Sequence, residues 1–408
     1  MLSKLKNVKP EQLFLILCLI FGVAFLLATP IFQVPDEPDH LLKSIHISKG
    51  EIIPEKSMVF VSSYPPVPYV ASASVIFVGK LVNNSYIDLI IYFARLANLL
   101  LYALIVYAAI KLTPVHKWVF FLLALMPMTL YEAASLSADS FTIAISFLLI
   151  ASFLEFSFNK EKKELNTKNI LFLFFLGLMI ALSKQIYIVL LLLFFSIPSH
   201  KFGNRRQMFS SFLLISIPLL LIIEGWCFLI QGAYVPILPE ISFHDQIFYM
   251  LLHPIAFIQA LFCSFLHYAQ YYLVSFVGTF GWLDNRLDTP LPPMLVYSYL
   301  AILILLSLID NNEFHIHLKQ KLVYLTTFLL SFLSIFVLEY IAWNVVGSNI
   351  IEGVYGRYFI PIAPLFFLLF YNNKFKFNSD KMGIVIILFS VSILSISLFM
   401  IIKRFYIV

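Results

Sequence analysis

Three carboxylates, Asp36, Glu37 and Asp39, stand close together with His40 beside them in the run Val34-Pro35-Asp36-Glu37-Pro38-Asp39-His40. Like charges this near repel one another, so the cluster costs stability unless it caps a helix, binds a ligand or moves a proton. The chemistry it suits is general-base catalysis. A hydroxyl is too weak an acid to attack unaided, and a carboxylate takes its proton as the new bond forms. Pro35 and Pro38 stop one helix and open another, and the spacing predicts an amphipathic helix as far as Lys49, with Gly50 at its C′ position. Offsets of four and seven place Asp36, His40 and Lys43 on one face of it. The plain alternative is that Asp36 and Glu37 only cap this helix, whose positive end favours ionised carboxylates. Capping, however, needs one carboxylate and three are present.

Further charges sit inside apolar runs: Arg95, Asp139, Lys184, Glu224, Glu339 and Arg357. Each costs about 2.5–3.5 kcal/mol at the centre of a membrane helix. Any one is explained by snorkelling or an internal ion pair, but together they point to a polar cavity. Lys184 and Arg357 are the cations suited to neutralising a phosphate. Arg357 lies in Glu352-Gly353-Val354-Tyr355-Gly356-Arg357-Tyr358, whose glycines let backbone approach a ligand closely. A shaped loop is expected where Gly278-Thr279-Phe280-Gly281-Trp282-Leu283-Asp284 precedes Asp288-Thr289-Pro290-Leu291-Pro292. Trp282 there suits a sugar-stacking platform, although Trp is equally common as an interfacial anchor. The rigid turn Tyr64-Pro65-Pro66-Val67-Pro68-Tyr69 reads either as a shaped loop in contact with substrate or as an interfacial anchor. His244, His253 and His267 lack metal-ligand spacing, so packing is their expected role.

The elements that must position these residues follow from composition. Of 408 residues, 61% are apolar and only 12% charged, about half the roughly 25% charged share of soluble domains. Apolar runs of the length a spanning helix needs, about 20 residues, recur throughout. The 43 Phe and 21 Tyr fit lipid-facing and interfacial positions. The net charge of +5 comes from short basic loops and reports topology; it excludes nucleic acid as a partner. The three cysteines, Cys18, Cys227 and Cys263, have no pair spacing, so neither a disulfide nor a metal cluster is expected. The first apolar run is too long for a signal-peptide core and reads as a retained helix.

The positive-inside rule orders the rest into an all-α polytopic membrane protein, a single domain over 1–408 with its N-terminus in the cytoplasm. Helices are expected at 13–33, 86–112, 117–136, 139–158, 170–182, 185–198, 209–231, 291–309, 323–343, 357–371 and 383–402, roughly eleven spans. Residues 66–82 are expected as a helix on the outer surface. Lys4, Lys6, Lys160, Lys162, Lys163, Lys201, Lys319, Lys321, Lys374 and Lys376 then fall inside. The two long loops, about 34–85 and 232–290, fall outside.

Four segments carry a family resemblance: Val34–His40; Pro127-Met128-Thr129 with Ser137-Ala138-Asp139; Phe280–Asp284 with Asp288–Pro292; and Glu352–Tyr358. The chain resembles the DUF2142 family of bacterial multi-spanning proteins, grouped with the GT-C glycosyltransferases. The resemblance implies a GT-C-like fold in the bacterial cytoplasmic membrane. It implies transfer of a sugar, with inversion, from a polyprenyl-phosphate donor to a surface glycan or lipid-linked acceptor on the extracytoplasmic face. A donor synthase and a flippase would be the functional partners. Carried onto this chain, Asp36 is the base with Glu37 second, and Lys184 and Arg357 hold the donor phosphate. Asp39, His40, Arg95, Asp139, Trp282, Asp284, Asp288 and Glu352 are the expected substrate contacts. Family members often have Ala where this chain has Asp39, so Asp36, Glu37 and Asp39 could together hold Mg²⁺ or Mn²⁺. Lipid-phosphate donors can be used without metal, and no cofactor is the leading expectation. A flippase or transporter, or a polymerase of lipid-linked sugars, is the rival. Against a transporter stands the lack of an internal repeat between the two halves.

Overall fold

With no water in a bilayer core, every backbone N–H and C=O must be satisfied within its own segment, and long apolar runs therefore become helices. The computed structural model of the protein describes residues 9–53, 63–82, 86–231, 238–282, 288–309, 314–372 and 379–407, and is helical almost throughout them. Helix α1 (Pro10–Ala28) leads to the short α2 (Glu37–Ser48). A 3-10 turn (Val67–Tyr69) runs into α3 (Val70–Val82), followed by α4 (Ile87–Leu112), α5 (Lys117–Leu125), α6 (Pro127–Ala133) and α7 (Ala138–Phe158). Next come α8 (Thr167–Ala181), a 3-10 helix (Gln185–Ser196) and α9 (Arg205–Ile230). Beyond lie α10 (Phe243–Leu252), α11 (Pro254–Val277), the strands β1 (Thr279–Phe280) and β2 (Thr289–Pro290), and α12 (Pro293–Leu308). The chain ends with α13 (Leu318–Trp343), a 3-10 segment (Gly356–Ile362), α14 (Ala363–Leu368) and α15 (Ser379–Tyr406). The strands pair antiparallel, Thr279 opposite Pro290 and Phe280 opposite Thr289.

Among the described residues, seven helices are long and apolar enough to cross a membrane: α1, α4, α7, α9, α11, α13 and α15 from Met382. Shorter apolar helices fill the set at Val67–Val82, Thr167–Ala181, Gln185–Ser196, Pro293–Leu308 and Gly356–Leu368. The expected 117–136 helix is broken. Met126 is extended (ψ 137°) and Pro127 opens α6, because proline has no N–H to give the preceding turn and suits a first helical position. The expected 185–198 segment is a 3-10 helix of 12 residues. At about 2.0 Å per residue it reaches about 24 Å, more than an α-helix of equal length. The third difference is α11, in a stretch expected as an amphipathic outer segment. It is long and apolar enough to cross a membrane, and it packs on α13 through Phe257 on Tyr340, Phe265 on Phe332 and Tyr272 on Phe336.

Helix α7 sits at the centre and is buried along most of its length, whereas α9 is mostly exposed. Tyr102 on α4 donates to the Ala124 carbonyl at 2.7 Å, and Thr142 on α7 bonds Ser183 at 2.7 Å. Three elements run between the same two polar ends. Asp139, Lys184 and Glu339 lie at one end of α7, the Gln185–Ser196 helix and α13; Ser157, Ser196 and Gln320 meet at the other.

Candidate functional site

The first polar end is built around Arg357. Its Nη1 donates to Glu132 Oε1 at 2.8 Å, its Nη2 lies 3.2 Å from Asp36 Oδ2, and its Nε lies 3.6 Å from Asp139 Oδ2. Asp139 also forms an ion pair with Lys184. The Lys184 ammonium lies 4.6 Å over the Tyr358 ring and 5.5 Å over Tyr64, so aromatic faces complete its cage. Asp139 is set by its helix start: Ser137 is the N-cap of α7 and accepts from the Asp139 N–H at 3.1 Å. Glu132, Asp139 and Arg357 are buried, while the Asp36 side chain is 49% exposed. Glu339 on α13 is partly buried and lies in electrostatic reach of Lys184 and Arg357. No ion pair to it appears among the described residues.

Asp36 is held in place by an unusual turn. It is the N-cap of α2 in the left-handed region (φ 58°), and its side chain makes no capping bond. Phe32 is also left-handed at φ 67°. Such conformations cost about 1–3 kcal/mol and gather at functional sites. The capping alternative therefore does not describe Asp36: its carboxylate is turned towards Arg357. Two braces fix the turn. Tyr131 donates to the Gln33 carbonyl at 2.7 Å, and the Trp282 indole N–H donates to the Phe32 carbonyl at 2.9 Å.

Two expected site residues are relocated. Glu37, read as a second base, is fully buried and receives Arg95 at both oxygens, Nε–Oε1 2.7 Å and Nη2–Oε2 2.5 Å. Arg95, read as a substrate contact, also donates to the Leu26, Thr29 and Pro30 carbonyls at the end of α1. Both side chains are 0% exposed. They lock α1, α2 and α4 together and present nothing to a substrate. Glu37 so committed cannot converge with Asp36 and Asp39 on a cation, and no group of three potential ligands gathers among the described residues.

His40 is buried, and its Nδ1 pairs with the Tyr69 hydroxyl at 2.9 Å. Burial lowers its pKa to about 4; Asp36 and Asp139 oppose this, while Lys184 and Arg357 reinforce it. Lys43, one turn on, is buried 5.6 Å over the Trp226 ring, and burial lowers it to about 8. Burial, then Asp36, raises Asp39. Of the expected shared face, His40 and Lys43 thus turn inward, while Asp36 stays half-exposed. A pH dependence follows. The unfolded chain takes up a proton at His40 near 6.5, and the folded chain does so only near 4. His40 therefore supports stability fully above about pH 6.5 and loses that support as pH falls towards 4. The unfolding temperature of wild type in detergent is expected to drop over this window more steeply than that of His40→Gln. Parallel curves would contradict a neutral buried imidazole.

Glu352 is exposed and joins none of the cluster's ion pairs; Asn344 clamps its backbone instead, at 2.8 and 3.1 Å. Asp288 flanks β2 within electrostatic reach of Tyr355. Asp284, and the topology-ordering Lys4, Lys6, Lys374 and Lys376, lie outside the described residues. Gly356, beside Arg357, serves packing in place of ligand approach, whereas Gly353 takes a left-handed backbone at φ 85°. A Cβ on Gly356 would stand 2.1 Å from the Tyr272 carbonyl and 2.3 Å from the Phe276 nitrogen, both backbone atoms of α11. Gly356→Ala is accordingly expected to push α11 off the Arg357 segment. Overpacking of this kind costs about 1–3 kcal/mol, read as a lowered unfolding temperature; an unchanged one would contradict the contact. Glu132 is the site residue that its sequence least announces. It follows Pro127-Met128-Thr129 on α6, and only the break at Met126 turns it towards Arg357.

A buried ion cluster at one end of an all-α bundle of long apolar helices defines a multi-span membrane protein with an embedded polar site. The chain belongs to the predicted membrane protein family DUF2142, whose model matches residues 55–366. The match takes in Glu132, Asp139, Lys184 and Arg357; the Val34–His40 segment precedes it. No curated protein and no solved structure matches the chain.

Proposed function

We propose that the protein is a membrane glycosyltransferase moving a sugar from a polyprenyl-phosphate donor to a surface glycan or lipid-linked acceptor. Its place is the extracytoplasmic face of the bacterial cytoplasmic membrane. The observation that carries this reading is Asp36 beside Arg357: a half-exposed carboxylate touching a guanidinium that two buried carboxylates hold in place. Asp36 is the general base for the acceptor hydroxyl. Arg357 and Lys184 take the donor phosphate, whose departure needs fixed positive charge. A phosphate arriving at Arg357 Nη2 displaces Asp36 from it, so donor binding frees the base at the moment it is needed. The acceptor oxygen, giving its proton to the freed Asp36, attacks the anomeric carbon in line with the departing phosphate, and this single displacement inverts that carbon. The partly exposed Trp282 ring, pinned to the Asp36 turn, is placed to stack on a sugar. A donor synthase and a flippase are the partners this chemistry needs.

One observation favours a second reading. Four carboxylates, Asp36, Glu132, Asp139 and Glu339, face two cations, Lys184 and Arg357, and surplus intramembrane carboxylates mark proton or ion paths. A proton-coupled flippase of lipid-linked sugars would use such a surplus. The test is purified protein in liposomes, offered a panel of polyprenyl-phosphate sugars and glycan acceptors. Sugar transfer supports the transferase. Donor movement across the bilayer with no transfer would replace it with the flippase.

A further inference from the structure

A second polar site lies at the other end of the bundle. A cavity of about 1010 Å³ opens where the C-terminus of α7, the segment following Ser196 and the first turn of α13 meet. Its charged lining is basic, Lys160, Lys162, Lys163 and Lys201, joined by three histidines and the neutral Ser157, Asn159 and Gln320. Among the described residues no carboxylate lines it. Phe158 and Ile316 give the same cavity an apolar wall.

Helix ends decide the sign of the field here. The C-terminus of α7 would bring negative dipole into the cavity. Lys201, itself buried, cancels it by donating to the Phe156 and Asn159 carbonyls at 2.8 and 2.7 Å. Lys162 is tied to Glu155 at 3.7 Å. Lys160 and Lys163 remain as exposed cations at the mouth. Across from them lies the first turn of α13, whose positive end adds to the field although a His317–Gln320 capping box, His317 N–H to Gln320 Oε1 at 3.0 Å, already takes part of its donors.

Position completes the argument. Helix α7 is 21 residues long, about 30 Å at 1.5 Å per residue, which is one hydrocarbon thickness. Asp139 sits at its start and this cavity at its end, so the basic site lies at the opposite interface from the Arg357 cluster. A cavity there that is basic on one side and apolar on the other matches a molecule with a phosphate head and an acyl tail. We infer that this cavity binds the phosphate headgroup of an anionic phospholipid from the leaflet opposite the Arg357 cluster. The inference stands independently of the transferase reading.

The test uses the full-length protein purified in detergent, with native mass spectrometry reading the lipid retained after titration. Phosphatidylglycerol is expected to be retained in preference to phosphatidylcholine. The double variant Lys160→Gln/Lys163→Gln is expected to lose that retention by about tenfold or more. Arg205→Gln/Arg206→Gln removes two exposed charges that do not line the cavity and is expected to keep it. Unfolding temperatures equal to wild type confirm that both variants are folded. Equal retention of the two lipids, or of phosphatidylglycerol by the two double variants, would overturn the proposal. So would displacement of the lipid by excess inorganic phosphate, which would assign the cavity to a soluble anion.

Discussion

Asp36→Asn is expected to lower sugar transfer by about a hundredfold or more, the scale of losing a general base, while leaving the fold intact. The substitution is nearly isosteric, and an amide oxygen can still accept from Arg357. Asn tolerates the left-handed conformation at φ 58° as well as Asp does, and no capping bond is lost because none is made. Stability should therefore stay within about 0.5 kcal/mol of wild type, as for other exposed substitutions. The kinetic pattern is more telling than the size of the loss. With its nearest exposed negative neighbour gone, Arg357 is freer to hold phosphate. The donor KM should stay level or fall while kcat collapses, the pattern of an interaction made in the transition state. Equal turnover in mutant and wild type would move the base elsewhere. Glu339 is then the next candidate, as a partly buried carboxylate near Lys184 and Arg357 outside the cluster's ion pairs.

How much of this was legible in the sequence depends on what each residue's signal rests on. The helical membrane class follows from apolar run length alone, which the bilayer dictates. Asp139, Lys184 and Arg357 were legible because charge inside apolar sequence is costly and needs a reason, and Asp36 because it stands in a cluster of mutually repelling carboxylates; the structure brings all four together. What the sequence could not express is partnership. Glu37 and Asp36 are adjacent and chemically alike, yet one turn at φ 58° sends the first carboxylate into a lock with Arg95 and the second towards Arg357. Arg95 carries the same cost signal as Arg357, and only the end of α1 decides that its donors go to backbone carbonyls. Glu132 was hidden because it follows a proline that could have been a simple kink. Gly356 read as a ligand approach because closeness to backbone is the same demand whether the backbone belongs to a ligand or to α11.

Arg95→Met is expected to be the most damaging single substitution in the chain's first half. It leaves Glu37 buried with no counter-charge, and breaking one side of a buried pair costs about 3–5 kcal/mol. It also orphans the carbonyls of Leu26, Thr29 and Pro30, which Arg95 satisfies at 3.3, 2.7 and 3.0 Å. Glu37→Gln should cost less, about 1–3 kcal/mol. A glutamine oxygen still accepts from the Phe32 N–H, bonded at 2.9 Å, and the remaining guanidinium still faces the negative end of α1, which favours a cation. The double substitution Glu37→Gln/Arg95→Met should therefore cost less than the two single losses added together, because the second change removes a charge the first left stranded. Unfolding temperature in detergent orders the four proteins. Additive losses would mean that the pair is not coupled, and the lock would be wrong. Activity separates the lock from chemistry: Glu37→Gln protein that stays folded should keep turnover near wild type, because Asp36 is untouched. A hundredfold loss of turnover at wild-type stability would return Glu37 to the role of base and take the lock away from it.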